Sequence, residues 1–514
     1  MLVALLSAVA LATPGPFTDA PLDPAARLID RYGRAQGADL LYGARGVGAL
    51  DVAHRMNRVD RHEGLLSTVL APEQAALKAQ GPHWWYRLRM LGSMGVPMLH
   101  PALQGGDVEP GLASTRVGAD LAARWGSAVA YMRPELGNDF AWETGTREVF
   151  RTSPWKGTGP DTVYGVKSCE DCGFGAPNFS LPEAWIGLQT PVWQVGFGKM
   201  NRWLGPGRHG GLILTDNAKP APLGSVAWED RLGDKWGRLR VEVGAGWLDQ
   251  PRTDVERPGW LLADFRWAPV PMFEAGATRM GIFGGEGRPS PDIGQLILPT
   301  KPHIEGDPEQ LLPDQDEIAS LDGRLTLPTG AWLDGGPDYL DLYIQYGGED
   351  VIAREILWIP VPSLAGVANL YGLELGHGDW VFDIEHARVL DDRFRWYTGH
   401  RIYHQGFTQD GVVMGHPSGG DSHSTHAALR WFPGEWGLEM TYSRSLHVGI
   451  AALEGDNLQA FMADMSVDRL GLRGWRLVYG DSRWLQVSAA VARIRNPGFL
   501  PGPDDTQWRV AIGM

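Results

Sequence analysis

The sequence predicts an all-β membrane protein: a large antiparallel transmembrane β-barrel of about 18 strands, preceded by a small N-terminal α-helical bundle. Three observations predict it. The chain opens on a signal-like apolar run and has no later apolar run of about 18 residues, so no helix is expected to cross a bilayer. From His83 onward hydrophobicity alternates with period two, over segments of about ten residues. The connections between these segments are either tight or long, as in outer-membrane barrels.

The elements follow in chain order. Leu2 to Ala12 is apolar and ends in Ala10-Leu11-Ala12, an A-x-A cleavage pattern, so residues 1–12 read as a signal peptide. The alternative is a buried apolar N-terminal segment. Residues 13–81 read as a helical bundle. Asp23-Pro24 supplies an N-cap and first turn, and Leu28, Ile29 and Tyr32 follow at helical spacing. Further helices are expected from Ala49 to Arg58 and from Pro72 to Gln80. Residues 82–514 read as the barrel. In Trp236 to Trp247, Leu239, Val241, Val243, Ala245 and Trp247 form one face, and Arg238, Arg240 and Glu242 lie on the other. Val117 to Trp125, Leu340 to Glu349 and Trp436 to Arg444 alternate in the same way. Trp508, Val510, Ile512 and Met514 make a last strand. Inward faces are expected to carry Arg238, Arg240, Glu242, Asp264, Arg266, Asp341 and Glu349, a mixed-charge lumen.

Turns are expected at Trp125-Gly126-Ser127 and Pro433-Gly434-Glu435, and long external loops from Asn138 to Asn178, Phe283 to Gln315 and Asp391 to Ser424. Lys and Arg number 46 against 61 Asp and Glu, a net charge of −15, which argues against a nucleic-acid partner. The 68 Gly and 22 Trp suit many turns and an aromatic girdle. Cys169 and Cys172 cannot complete a zinc site. In an exported chain they read as a local loop disulfide, the alternative being two free thiols.

His400, His404, His416, His423 and His426 lie near Asp410, Asp421 and Ser422, but no HExxH or G-x-S-x-G pattern accompanies them. Polar loop structure is the expected role, and no catalysis, cofactor or metal is expected. Gly284 to Pro289 lacks the Lys-Ser/Thr ending of a phosphate loop.

From Arg202 to Pro220 the chain reads RWLGPGRHGGLILTDNAKP. Glycines and a proline at this density fix an irregular backbone around Arg208 and His209. Trp203, read as exposed beside Arg202 and Arg208, offers a surface for stacking on a sugar or binding an anion. This stretch resembles the signature of the Wzi-type capsule-assembly proteins. Gly276-Ala277-Thr278-Arg279-Met280 with Gly284 to Pro289, then Tyr346 to Asp350, then Tyr403 to Phe407, Gly415-His416-Pro417 and Gly419-Gly420-Asp421 resemble further family segments in the expected order. Leu204 stands where that family is expected to place a second Trp. The resemblance runs from about Arg27 to the C-terminus.

It implies that the helical bundle is periplasmic. It also implies a lectin-like, non-catalytic protein that attaches or organises capsular or other surface polysaccharide. Candidate binding residues are Arg202, Trp203, Arg208, Asp216, Asn217, Glu286, Arg288, His404 and Asp421, all expected in external loops. Outer-membrane lipid and lipopolysaccharide are the expected surroundings, and a monomer the expected state. The rival readings are a porin or transport channel and, behind it, an outer-membrane hydrolase.

Overall fold

The computed structural model of the 514-residue chain describes residues 44–46, 83–95, 112–141, 148–152, 160–165, 178–190, 192–252, 254–289, 315–332, 335–356, 359–390, 396–398, 400, 402–409, 412–433, 436–448, 464–478, 483–496 and 504–513. The signal segment, Cys169 and Cys172 lie outside these residues. So does the expected helical bundle, apart from Ala44–Gly46. Those three residues form a short strand paired antiparallel with Arg202–Leu204.

Among the described residues eighteen strands close one barrel. In chain order they are β1 (His83–Gly95), β2 (Leu112–Trp125), β3 (Ala128–Ala141), β4 (Asn178–Gln189), β5 (Trp193–Lys199) and β6 (Leu223–Arg231). Next come β7 (Arg238–Trp247), β8 (Gly259–Val270), β9 (Phe273–Phe283), β10 (Gln315–Leu327), β11 (Tyr339–Ile356) and β12 (Ile359–His377). The last six are β13 (Trp380–Val389), β14 (Ser422–Trp431), β15 (Trp436–His447), β16 (Met465–Val478), β17 (Arg483–Arg495) and β18 (Asp505–Gly513). Each pairs antiparallel with the next, and β18 returns to β1 with Leu91 opposite Gly513. Closure leaves no sheet edge, the condition for a β structure in lipid.

The faces are inverted relative to a soluble barrel. On β11 the apolar Ile344 is 53% exposed, while Asp341 and Gln345 are fully buried. On β8 Arg266 is fully buried and Phe265 is exposed. An apolar outer wall around a polar interior is the membrane-barrel arrangement. The expected inward residues Glu242, Asp264, Arg266, Asp341 and Glu349 are buried. Strand β11 runs on to Ile356, past the strand end expected near Glu349.

Residues 126–127, 271–272 and 378–379 close hairpins at one end of the barrel. Residues 142–177, 200–222, 284–314 and 390–421 connect strands at the other. One hairpin breaks this pattern: β11 and β12 are joined at the long-loop end by residues 357–358 alone.

Inward positions change character along a strand. On β13 the sequence Asp383, Glu385, Ala387, Val389 runs from charged near the short turns to apolar near the long loops, and all four are buried. On β8 Arg266, Asp264, Leu262 and Trp260 repeat the change. The apolar half surrounds a core built inside the barrel. Leu204, Leu212, Ile213, Leu214, Trp396, Tyr397, Phe407 and Met414 pack there against Leu262, Met280, Ile318, Leu370 and Val389 of the wall. Residues 200–222, 396–398, 402–409 and 412–421 therefore fold back into the lumen as a plug.

Candidate functional site

The plug is built from short irregular pieces held by backbone groups. Leu204 N–H donates to Leu214 O at 2.9 Å, and Thr215 N–H donates to Met414 O at 2.8 Å. The Tyr397 hydroxyl donates to Leu212 O and accepts from His416 N–H, at 2.8 and 2.9 Å. The Leu212 N–H reaches the side chain of wall residue Gln345 at 2.9 Å. These bonds satisfy backbone groups that have no ladder partner, as burial demands.

The tip of the plug carries its two cations into the charged half of the lumen. Arg208 Nε lies 3.0 Å from Glu374 Oε2, and its Nη2 lies 3.5 Å from Asp341 Oδ2. Its backbone N–H donates to Glu385 Oε2 at 2.5 Å. His209 contacts Asp383 through Nε2 and stacks on His426, ring centroids 3.3 Å apart. Wall arginines complete the network: Arg324 pairs with Asp341, and Arg430 bridges Asp383 and Glu439. Burial alone would lower the His209 pKa. The adjoining Asp383 carboxylate, with Glu385 behind it, outweighs burial and raises it above the ordinary 6.5. His416 is pushed the other way, to about 3, by burial and then by His209 and His426. The plug tip thus sets His209, held toward its protonated form by Asp383, beside a neutral His416.

This placement corrects the expectation of external loops for most candidate residues. Trp203 is buried, and its indole N–H donates to Gly207 O at 3.2 Å. Arg202 is buried, with Glu242 at 3.1 Å and Ser225 at 3.0 Å. Arg208, Asp216 and Asp421 are also buried, and Asn217 is half-buried, bonded to Val413 O at 2.7 Å. The reason is physical. The same run holds Leu212-Ile213-Leu214, whose apolar surface finds cover only inside.

Glu286, Arg288 and His404 are exposed at the long-loop end. A knot of three loops brings them together. Arg252 grips Asp254 with two bonds of 2.9 and 3.0 Å and reaches Gly406 O at 3.0 Å. Gln405 N–H donates to Asp254 at 2.8 Å. The Tyr403 hydroxyl donates to Gly284 O at 2.9 Å, and Glu286 N–H to Glu256 O at 2.9 Å. Burial tends to raise the Asp254 pKa. The Arg252 side chain and the backbone N–H groups of Gln405 and Val255 hold it below the ordinary carboxylate value. Residues 248–252, 254–258, 284–289 and 402–409 are therefore tied together at the end where Glu286, Arg288 and His404 are exposed. Arg252 and Asp254 escaped the sequence reading. Their signal is an Arg and an Asp two residues apart between Pro251 and Pro258.

Ser422 is fully buried, with its hydroxyl 2.9 Å from both Ser418 Oγ and Gly419 O. His416 Nδ1 lies 2.7 Å from Ser418 Oγ and accepts from Ser418 N–H at 3.1 Å. These are local contacts of a buried turn.

A family model described as Capsule assembly protein Wzi matches residues 104–505. Among solved structures the chain is similar to Wzi of Escherichia coli, described as an outer membrane protein involved in group 1 capsule assembly and a carbohydrate-binding β-barrel. That match covers 98% of each chain at 17% identity, with a TM-score of 0.62, and it is a likeness of fold. Pseudomonas aeruginosa OprD matches at 9% identity over 85% of this chain and 96% of that one, with a TM-score of 0.46. Acinetobacter baumannii OccAB2 matches at 10% identity over 84% and 97%, with a TM-score of 0.45. Neither of these last two bears on the interior or the loops. No curated protein sequence matches the chain.

Proposed function

This chain belongs to the Wzi capsule assembly family, and we propose that it binds capsular polysaccharide at the cell surface and holds it there without chemical change. The observation that supports this reading best is the plugged lumen. Arg208 and His209 are locked onto wall carboxylates beneath a packed apolar core. A barrel filled in this way works at its loop face rather than as an open channel. On that face Glu286, Arg288 and His404 would meet the polymer. Arg288 suits acidic sugars, and Glu286 and His404 suit hydroxyls. Many weak contacts along one chain would add. The protein would do this as a monomer in outer-membrane lipid. Arg202, Trp203, Arg208, Asp216, Asn217 and Asp421 would serve indirectly, by fixing the plug that supports the loops.

The test uses purified, folded protein on an array of capsular and other surface glycans. Binding to acidic capsular polymers is expected, reduced in Arg288→Ala. Absence of binding to any polymer on the array, from protein whose barrel is heat-modifiable, would remove the reading.

A further inference from the structure

The outer wall carries a second candidate site, unrelated to the loops. One row of directly paired residues crosses successive strands: Gly323, Ile344, Tyr371, His386, Thr425, Arg444, Asp468, Arg493. It starts near the short turns on β10 and climbs to the long-loop end on β17, because barrel strands are tilted. Its lower part is apolar and its upper part is charged.

The charged part is a cluster of exposed arginines. Arg388 on β13, Arg444 on β15, and Arg493 and Arg495 on β17 all point outward. Asp468 and Asp504 are their acidic neighbours. Arg444 Nε is 3.8 Å from Asp468 and its side chain is 56% exposed. Arg493 is 2.5 Å from Asp504 and 58% exposed. Arg493 bonds Asp504 through both Nε and Nη2, and each of the two pairs still leaves more than half of the arginine side chain exposed. His423 sits opposite Arg388. Among the described residues of β3, β4, β5 and β7 the wall at this height is different. Leu136, Phe179, Leu181, Phe197 and Trp247 are exposed near the long-loop ends of β3, β4, β5 and β7. A cationic band around the whole barrel would only meet bulk head groups; a patch on one side selects.

The apolar part is a groove. Gly323 points outward without a side chain, and a Cβ there would meet only Glu274 O, at 4.0 Å. Leu325, Leu342, Ile344, Tyr371 and Ile384 line the hollow, which measures ≈ 580 Å³, and His386 and Thr425 edge it. His386 Nδ1 and Thr425 Oγ1 are 2.8 Å apart.

We propose that this face docks a phosphorylated glycolipid of the outer leaflet, with its phosphates on Arg388, Arg444, Arg493 and Arg495 and an acyl chain in the groove beneath. Long loops mark the outer side of such barrels, which sets the leaflet. The arginines extend from β13 to β17, about 19 Å at ordinary strand spacing. That width exceeds a single phosphodiester head group and suits a lipid with two phosphates on a sugar backbone. Guanidinium is the side chain that grips phosphate with paired bonds.

The test is native mass spectrometry of the purified full chain in detergent. It is incubated with a bisphosphorylated lipid A, with the same lipid after phosphatase treatment, or with phosphatidylglycerol. The bisphosphorylated form is expected to be retained about tenfold better than either other lipid, the scale of losing about one charge-assisted bond. The triple variant Arg388→Gln/Arg444→Gln/Arg493→Gln should lose that preference. Gly323→Phe should fill the groove and lower retention severalfold, with an unchanged heat-modifiable barrel. Equal retention of phosphorylated and dephosphorylated lipid, a preference for phosphatidylglycerol, or full retention by the triple variant would each overturn the proposal. Should the triple variant fail to fold, the lipid comparison on the unaltered chain and Gly323→Phe still decide. None of these readouts depends on polysaccharide binding.

Discussion

His209, at the tip of the plug, bonds through Nε2 to Oδ1 of Asp383 on the barrel wall. This contact has a consequence for pH. The folded pKa of His209 is raised above 6.5. A raised pKa means that the folded state holds the proton more tightly, so the stabilisation is fully present below pH 6.5 and is lost as pH rises through the folded value. The facing groups are Asp383, Glu385, Arg430, His416 and His426. Hydrogen exchange of amides 205–216, corrected for intrinsic rate, should show the plug loosening on the alkaline side. His209→Gln should flatten that dependence. A plug whose protection is unchanged from pH 6 to 10 in the unaltered chain would sink this prediction.

Gly210 lies against the His416 ring so closely that a Cβ would overlap Cδ2. His416 is pinned by Ser418 and by its own backbone bond to Tyr397, so it has little room to yield. Gly210→Ala should cost about 1–3 kcal/mol, the scale of overpacking. The cost should fall on the plug rather than the sheet. Limited proteolysis should cut within 205–216 faster than in the parent, while the barrel band on an unheated gel stays intact.

The barrel was legible because its signal repeats. Val241 and Val243 alternate with Arg240 and Glu242, and the structure keeps both faces as the alternation implies. Strand count was readable for the same reason, and the family from the order of its motif resemblances. The interior core was not. In Trp260-Leu261-Leu262 the inward residues are as apolar as the outward one, since the plug covers them. Period two vanishes there, and nothing local says that the covering surface comes from residues 396–414. Trp203 was misread for a related reason. A Gly/Pro-rich run looks like a surface loop, and only its Leu212-Ile213-Leu214 centre pointed inward. The carboxylate partners of Arg208 and His209 lie 133 to 177 positions away, beyond the reach of spacing arguments.

Polysaccharide retention should follow exposure rather than motif. Glu286→Ala, Arg288→Ala and His404→Ala should leave the barrel in the membrane and weaken cell-bound polymer. Each contact is worth about 1 kcal/mol, roughly fivefold in an equilibrium constant. A polymer touching several copies would feel the loss more. Barrel content and surface polysaccharide are to be measured in the same cells. Normal retention in all three variants would remove these residues from the site.

Arg208→Met separates the plug from the loop face. The substitution keeps bulk but removes the charge that faces Glu374 and Asp341, both buried. Removing one partner of a buried pair costs about 3–5 kcal/mol, because the other charge is left without compensation. Part of this will be recovered, since Arg324 still pairs with Asp341 and Tyr339 still donates to Glu374 at 2.7 Å. Glu374 is therefore the group left most exposed to the loss. The tip of the plug should withdraw from the charged half of the lumen, while the apolar core nearer the long loops holds. In planar bilayers the parent should conduct little, and Arg208→Met should show larger or more frequent openings. The double variant Arg208→Met/Glu374→Gln should restore the closed behaviour, because it removes the stranded charge together with its partner. Equal conductance in all three proteins would mean that the Arg208 contacts do not hold the lumen shut.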